Sequence, residues 1–531
     1  MKLPSISSIL AIAALGSCAS ATFTMSIAKS QGVKNIKKRS LSTRATITES
    51  LANNFTGGDY IAQVSVGTPP QTQTLAIDTG SSDVWLMSST ADLCTDPALQ
   101  EEDGTGGCAS TFDSSKSSSF KVVDANGFDI SYADNSGAQG DYVTDDFTIG
   151  GSTIKALEMG LAYNVTLQTG LMGIGYDKNE ASDSTDGDGF IYPSIIDQMM
   201  SQGLINTKSY SLYLNDYEAS TGSIIFGGLD ADKYHGKLLQ VPIVPDEYSN
   251  GTQVYAEFSV AMTGFGITTN AGNTTNFTIS SYQTPAILDS GTTLTYLPNR
   301  LVEDIYNAIG AEEDEDGNAY VDCSVRDNNP DMTFNFGFGG ASGLTIAVPA
   351  NELIFDLTGI FSTGGIDPGT GGSGGTCALG IMPGDSEESD GPYILGDVFL
   401  RSAYVVYDLQ NNLIALAQTN FNSTTSSIVE FQASATTIPN VSGVASSAQV
   451  TETNTGILGG GGGPKTTSAT GTATTDGSKT TSTSGTGTGA STSNTSKSAA
   501  TGTVPAFDIK ALFVLGISSV FTVLGASFIL A

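Results

Sequence analysis

Short runs rich in Val, Ile, Tyr, Phe and Thr, broken by Gly and Asn turns, fill most of the chain between residues 50 and 420. Residues 60–66, 209–214 and 222–226 are typical, and such runs bounded by turn formers read as strands. Helical signals are few; residues 300–309, following Pro298, give the clearest. The pattern predicts a mostly antiparallel β body, all-β apart from a few short helices, and long enough for two domains.

Inside this pattern one passage occurs twice. Ile77-Asp78-Thr79-Gly80-Ser81-Ser82 returns 211 residues later as Leu288-Asp289-Ser290-Gly291-Thr292-Thr293. Each copy sets an Asp after an apolar run, then a Gly turn flanked by hydroxyls. Seven residues past each Asp comes an aromatic and a Leu, Trp85-Leu86 and Tyr296-Leu297. One such turn would say little, because Asp, Ser, Thr and Gly are general turn formers. Two in matching contexts point to two related lobes, each bringing a carboxylate to a shared site.

Two carboxyls held about 3 Å apart cannot both ionise, so they share a proton over an acidic range. The ionised member can act as general base on water while the protonated member polarises a carbonyl. In this reading Asp78 and Asp289 are catalytic. Ser81 and Thr292 would orient the outer carboxylate oxygens, and Thr79 and Ser290 would tie the turns together. Other designs fit poorly. The chain has one histidine, His235, in a polar run, whereas Ser-His-Asp and Cys-His sites need a positioned imidazole. No Cys/His cluster suggests zinc, and no Gly-rich run ends in Gly-Lys-Ser/Thr. A sugar hydrolase with two carboxylates leaves the repeat unexplained.

Both ends read as addressing signals. Lys2, the apolar run 9–15 and Ala19-Ser20-Ala21 suggest a signal peptide over residues 1–21. A basic stretch to Lys37-Lys38-Arg39 suggests a pro-segment over 22–39, with the mature chain starting near Ser40. The last 21 residues are apolar and reach the terminus without a basic tail. Small residues and a spacer precede them. That order describes a glycosylphosphatidylinositol signal whose tail, 504–531, is removed. Residues 421–503, dominated by Thr, Ser, Gly and Ala, read as a glycosylated stalk. The lobes would then span 40–230 and 231–420.

Without Cys18 of the leader, Cys94, Cys108, Cys323 and Cys377 remain, an even number suited to an oxidising compartment. Of three connectivities, the two-lobe layout favours Cys94–Cys108 and Cys323–Cys377. Sequons at Asn54, Asn164, Asn250, Asn273, Asn276, Asn422, Asn440 and Asn494 fit the same compartment.

These residues resemble the pepsin-type aspartic endopeptidases, and the ends resemble their surface-anchored fungal branch that includes the yapsins. Val66-Gly67-Thr68-Pro69-Pro70-Gln71 leading to Asp78, Phe128-Asp129-Ile130-Ser131-Tyr132, Leu171-Met172-Gly173 and Ile394-Leu395-Gly396 carry the likeness across roughly residues 60–418. The resemblance implies a bilobal fold with a cleft between lobes and hydrolysis by a water between Asp78 and Asp289. It implies no cofactor, no metal and a monomer. Tyr132 would close a flap over substrate, with Trp85 packed behind it. Ala133 departs from the Gly that many relatives carry after the flap Tyr.

Charge adds a substrate preference. The chain holds 54 acidic and 21 basic residues, net −33, which favours cationic partners and disfavours nucleic acid. With Asp134 two residues past Tyr132, and Glu101-Glu102-Asp103 in the Cys94–Cys108 loop, Lys or Arg beside the scissile bond is expected. So is activity near about pH 3 to 6. A cell-surface mannoprotein that binds peptides without cutting them is the alternative from another class.

Overall fold

The computed structural model describes residues 46–444 except 55–57, 103–106, 135, 183–189, 249–251, 315–316, 341–342, 357–374 and 385–392, together with 452–454. The expected leader, pro-segment, terminal tail and most of the expected stalk lie outside the described residues. So do Asn250, Asn494, Asp103 and the side chains of Asn54, Glu101 and Glu102. Among the described residues no helix is long and apolar enough to cross a membrane.

The local pattern folds as its periodicities require. Strand Asp59–Val66 buries Tyr60, Ala62, Val64 and Val66 on one face, the alternation that a pleated strand imposes. Strands Ser209–Tyr213 and Thr221–Phe226 pair antiparallel. Helix Asn299–Ile309 starts after Pro298, turns Leu301, Val302 and Ile305 inward, and stops at Gly310, whose φ of 73° suits glycine.

The architecture is bilobal and mostly β, and one sheet joins the lobes. Its spatial order runs Tyr234–Pro242, Leu413–Thr419, Ala403–Asp408, Ser209–Tyr213, Thr221–Phe226, Ile47–Asn54 and Asp59–Val66. The junction between sequence halves lies where Val405 and Val406 pair with Leu212 and Ser211. Tyr407 stacks on Tyr210 at 4.8 Å and meets Phe258 at 4.7 Å, forming an aromatic floor. The second lobe is built on an eight-stranded sheet containing Ser259–Thr268, Thr284–Leu288 and Thr333–Phe338. Disulfides join Cys94 to Cys108 in one lobe and Cys323 to Cys377 in the other.

The folded body runs past the point where the sequence reading begins the stalk at residue 421. Strand Ile428–Glu430 pairs with Gly228–Asp230, and Val441–Val444 pairs in parallel with Tyr234–Pro242, covering that sheet edge. Phe431 and Ile438 are each 1% exposed and pack against Leu229, Leu238 and Tyr404. The segment is polar on average but carries isolated apolar anchors, and these decide where packing ends.

Candidate active site

Asp78 closes strand Gln71–Asp78, and Asp289 follows strand Thr284–Leu288 directly. Each strand is flanked in parallel by a short apolar strand, Gly170–Gly173 beside the first and Ile394–Leu395 beside the second. The two turns therefore meet with matching geometry at the lobe junction.

Four reciprocal hydrogen bonds lock them. Thr79 Oγ1 donates to Leu288 O at 2.8 Å and accepts from Ser290 N–H at 2.9 Å. Ser290 Oγ donates to Ile77 O at 2.9 Å and accepts from Thr79 N–H at 3.3 Å. All four are buried, where an unmade bond costs the full desolvation of its group. The carboxylates are held just as symmetrically. Gly80 N–H donates to Asp78 Oδ1 and Gly291 N–H to Asp289 Oδ1, both at 2.8 Å. The outer oxygens accept from hydroxyls: Asp78 Oδ2 from Ser81 Oγ in a short bond, and Asp289 Oδ2 from Thr292 Oγ1 at 2.6 Å.

The glycines face the opposite carboxylates. A Cβ on Gly291 would lie 2.3 Å from Asp78 Oδ1, and one on Gly80 2.5 Å from Asp289 Oδ1. Only glycine lets the two acids approach this closely. Gly291→Ala should therefore push the pair apart and lower kcat by about a hundredfold, the usual effect of a 1 Å misplacement. Steady-state kinetics against a folded control would check it.

Asp78 is 4% and Asp289 9% exposed. Burial, and next the Asp289 carboxylate, push Asp78 up to about 7. The pair thus retains a proton through the acid range and releases it near neutrality.

Above the pair stands a hairpin of Lys121–Ser131 and Gly137–Ile149. At its tip Tyr132 N–H donates to Ser136 O at 2.8 Å, and Trp85 Nε1 donates to the Tyr132 hydroxyl at 2.8 Å. Trp85 is fully buried beside Phe128. Burial, and next Asp78, keep the Tyr132 hydroxyl protonated well above its ordinary range. Asp134 is exposed, and its Oδ1 accepts from Ser136 N–H at 2.9 Å and Ser136 Oγ at 2.6 Å. Its charge still reaches Tyr296, whose hydroxyl is raised by burial first and Asp134 second. His235, Asn164, Asn273, Asn276, Asn422 and Asn440 are all exposed, and the Asn422 amide donates to Asp216.

Three residues close to the site received no role from the sequence: Asp83, Asn179 and Glu180. Asn179 Nδ2 donates to Gly80 O at 2.9 Å, bracing the first turn from below. The repeat does mark Asp83, because its counterpart in the second copy is Leu294.

Comparison with known proteins agrees with this geometry. The family model described as eukaryotic aspartyl protease matches residues 59–419. The probable aspartic-type endopeptidase opsB of Aspergillus oryzae is 37% identical over 432 residues, covering 81% of this chain and 81% of that one. The aspartic proteinase yapsin-3 of Saccharomyces cerevisiae is 32% identical over 370 residues, 68% of this chain and 66% of the other. The crystal structure of the aspartic proteinase from Irpex lacteus superposes with a TM-score of 0.54 at 24% identity. It covers 72% of this chain and 100% of its own, a likeness of fold. The chain belongs to the eukaryotic aspartyl protease family and is an aspartic-type endopeptidase.

Proposed function

We propose that this endopeptidase cuts peptide bonds with a water held between Asp78 and Asp289. The ionised carboxyl takes a proton from the water as its oxygen attacks the scissile carbonyl. The protonated carboxyl donates to the carbonyl oxygen, giving a tetrahedral diol. The carboxyl that took the water's proton then passes it to the leaving nitrogen, and a hydroxyl proton of the diol returns to the other carboxyl as the C–N bond breaks. Every bond formed is between water and peptide, so no acyl-enzyme is needed. Preorganised hydroxyls and amides supply the orientation. The Ser81 and Thr292 bonds hold the outer oxygens, while the inner ones converge over Gly80 and Gly291. Tyr132 closes over the substrate with its hydroxyl anchored on Trp85. The observation that carries this reading is the reciprocal Thr79–Ser290 lock, which fixes two buried carboxyls at one point. Loss of cleavage in an Asp289→Ala protein tests it.

A preference for Lys or Arg beside the scissile bond is the finer reading, supported by the net charge of −33 and by Asp134 at the flap tip. Asp134 is exposed and already caps its own turn, so its pull on a substrate cation is worth about 1 kcal/mol at most. Asp134→Thr should therefore cut selectivity for basic over neutral peptides by about fivefold or less. Competition between paired peptides at pH 4 measures this, and unchanged selectivity would remove Asp134 from the account.

We also place the protein on a secretory route, with cleavage after Arg39 and a glycosylphosphatidylinositol anchor at the cell surface. The end signals and the two disulfides support that address. Phosphatidylinositol-specific phospholipase should release it from intact cells, and retention would argue against the anchor.

A further inference from the structure

Behind the flap two further carboxyls are shut away from water together. Asp83 is fully buried and Glu180 is 1% exposed. Asp83 Oδ1 accepts from the hydroxyls of Tyr192 at 2.6 Å and Tyr142 at 3.3 Å, and its Oδ2 accepts from Ala181 N–H at 2.7 Å. Glu180 Oε2 accepts from Tyr192 N–H at 3.0 Å, whereas Oε1 is buried without a hydrogen-bond partner among the described residues. Tyr192 thus bridges the two acids.

Among the described residues no cation pairs with either acid. The ion pairs among the described residues are Lys116–Asp113, Lys155–Asp146, Lys208–Asp197, Arg326–Asp327 and Arg401–Glu352. The charges facing Glu180 are all acidic: Asp83 from the loop after Asp78, Asp177 from its own turn, and Asp197 from helix Ile195–Ser201. Asp197 is already paired with Lys208. The tyrosines Tyr142 and Tyr192 complete the wall around Asp83, and Tyr132 lies above it. A buried carboxylate with an unpaired oxygen and an acid beside it is costly, whereas a neutral carboxylic acid is tolerated. Burial, opposed by the Tyr192 N–H bond and reinforced by Asp83, pushes Glu180 up to about 10.

The turn that carries Glu180 also holds the site. On one side of it Asn179 donates to Gly80 O, and on the other Ala181 N–H donates to Asp83. Gly80 in turn donates to Asp78. We propose that Glu180 is a positioning residue acting as a neutral acid, whose proton keeps the 179–181 turn docked under the Asp78 loop and sets the alkaline limit of that docked structure. This limit lies above the pH at which the Asp78–Asp289 pair loses its own proton. When Glu180 ionises, the turn leaves its dry pocket, and the bonds to Gly80 and Asp83 go with it.

Glu180 titrates from 4.5 when unfolded and near 10 when folded, so the folded chain holds the extra proton between these values. The folding constant falls tenfold per pH unit across that window, so the stabilisation is complete below it and lost toward its top.

The chain's single tryptophan, Trp85, packs in the same apolar cluster as Tyr142 and Tyr192, so its fluorescence reports the docked state. Full-length wild-type and Glu180→Gln proteins would be titrated from pH 4 to pH 10, reading Trp85 fluorescence and residual cleavage after return to pH 4. Gln copies the shape and neutrality of the acid. Glu180→Gln should keep cleavage at pH 4 within about twofold and raise the alkaline midpoint by about one unit or more. Coincident midpoints would overturn the proposal. If the Gln variant does not accumulate, Glu180→Met, uncharged and of similar length, should move the midpoint the same way; an unmoved midpoint overturns it equally. Absence of a protonated-carboxyl infrared band from the wild-type protein at pH 7 would overturn it without any variant. Only the activity arm rests on the Asp78–Asp289 reading. A fluorescence shift in a protein that cuts nothing would support the Glu180 role and refute that reading instead.

Discussion

An Asp289→Ala protein should fold normally and lose peptide cleavage at pH 4 by about a thousandfold or more. The size reflects removal of one partner of an acid–base pair, worth about 10²–10⁴ by itself, together with displacement of the water both partners hold. Folding should survive, because the Thr79–Ser290 lock uses no atom of the Asp289 side chain. Deleting the carboxylate also removes a repulsion. Asp78, now held near 7 by burial and Asp289, should titrate lower in the variant. Because the folded-state value is raised, this group costs stability as pH climbs from about 4 toward 7, and the variant should lose less over that range. Both outcomes are read on one preparation, by peptide kinetics and by thermal melting at several pH values. Cleavage within tenfold of wild type would mean that Asp289 is not part of the chemistry.

Cutting the chain after Asn420 should destabilise it strongly, whereas cutting after Val444 should not. The first cut discards Phe431 and Ile438, each buried and each worth about 2–3 kcal/mol of apolar burial. Together they approach about 5 kcal/mol, the lower end of the whole stability of an ordinary domain. Strand Tyr234–Pro242 also loses the cover supplied by Val441–Val444, and an uncovered edge invites association with other chains. A drop in Tm of about 10 °C and a tendency to aggregate are expected for the shorter form. Matching melting curves for the two forms would show that 421–444 contributes no packing.

The stalk boundary shows how sequence reading fails here. Composition averages over a window, and two anchors among Ser and Thr barely move it, yet two fully buried side chains suffice to dock a segment. The aspartate pair was legible for the opposite reason. Its chemistry demands a fixed local order of Asp, hydroxyl, Gly and hydroxyl, and the duplication of that order reveals a shared site without any knowledge of contacts. The strand read at 60–66 and the helix read at 300–309 were legible through period and punctuation, each one residue short of its observed start. Glu180 was not, since it meets Asp83 only through Tyr192 and Ala181, and such long-range contacts leave no spacing to read. For Asp83 the one signal was the mismatch with Leu294 between the two copies. Asp134 illustrates a third case. Its position was clear, but an Asp two residues before a Ser can bond its own turn, and that local bond competes with any role toward a substrate.

The central claim is that a carboxyl pair at the lobe junction hydrolyses peptides in acid. Its most direct test is to incubate purified protein, correctly processed and ending at Val444, with a diverse peptide library at pH 4 and at pH 8, beside an Asp289→Ala control. Mass spectrometry would identify every new terminus. The account predicts cuts at pH 4, few or none at pH 8, and none from the control. Folded wild-type protein that leaves the library intact at pH 4, or a control that cuts as well as wild type, would contradict it.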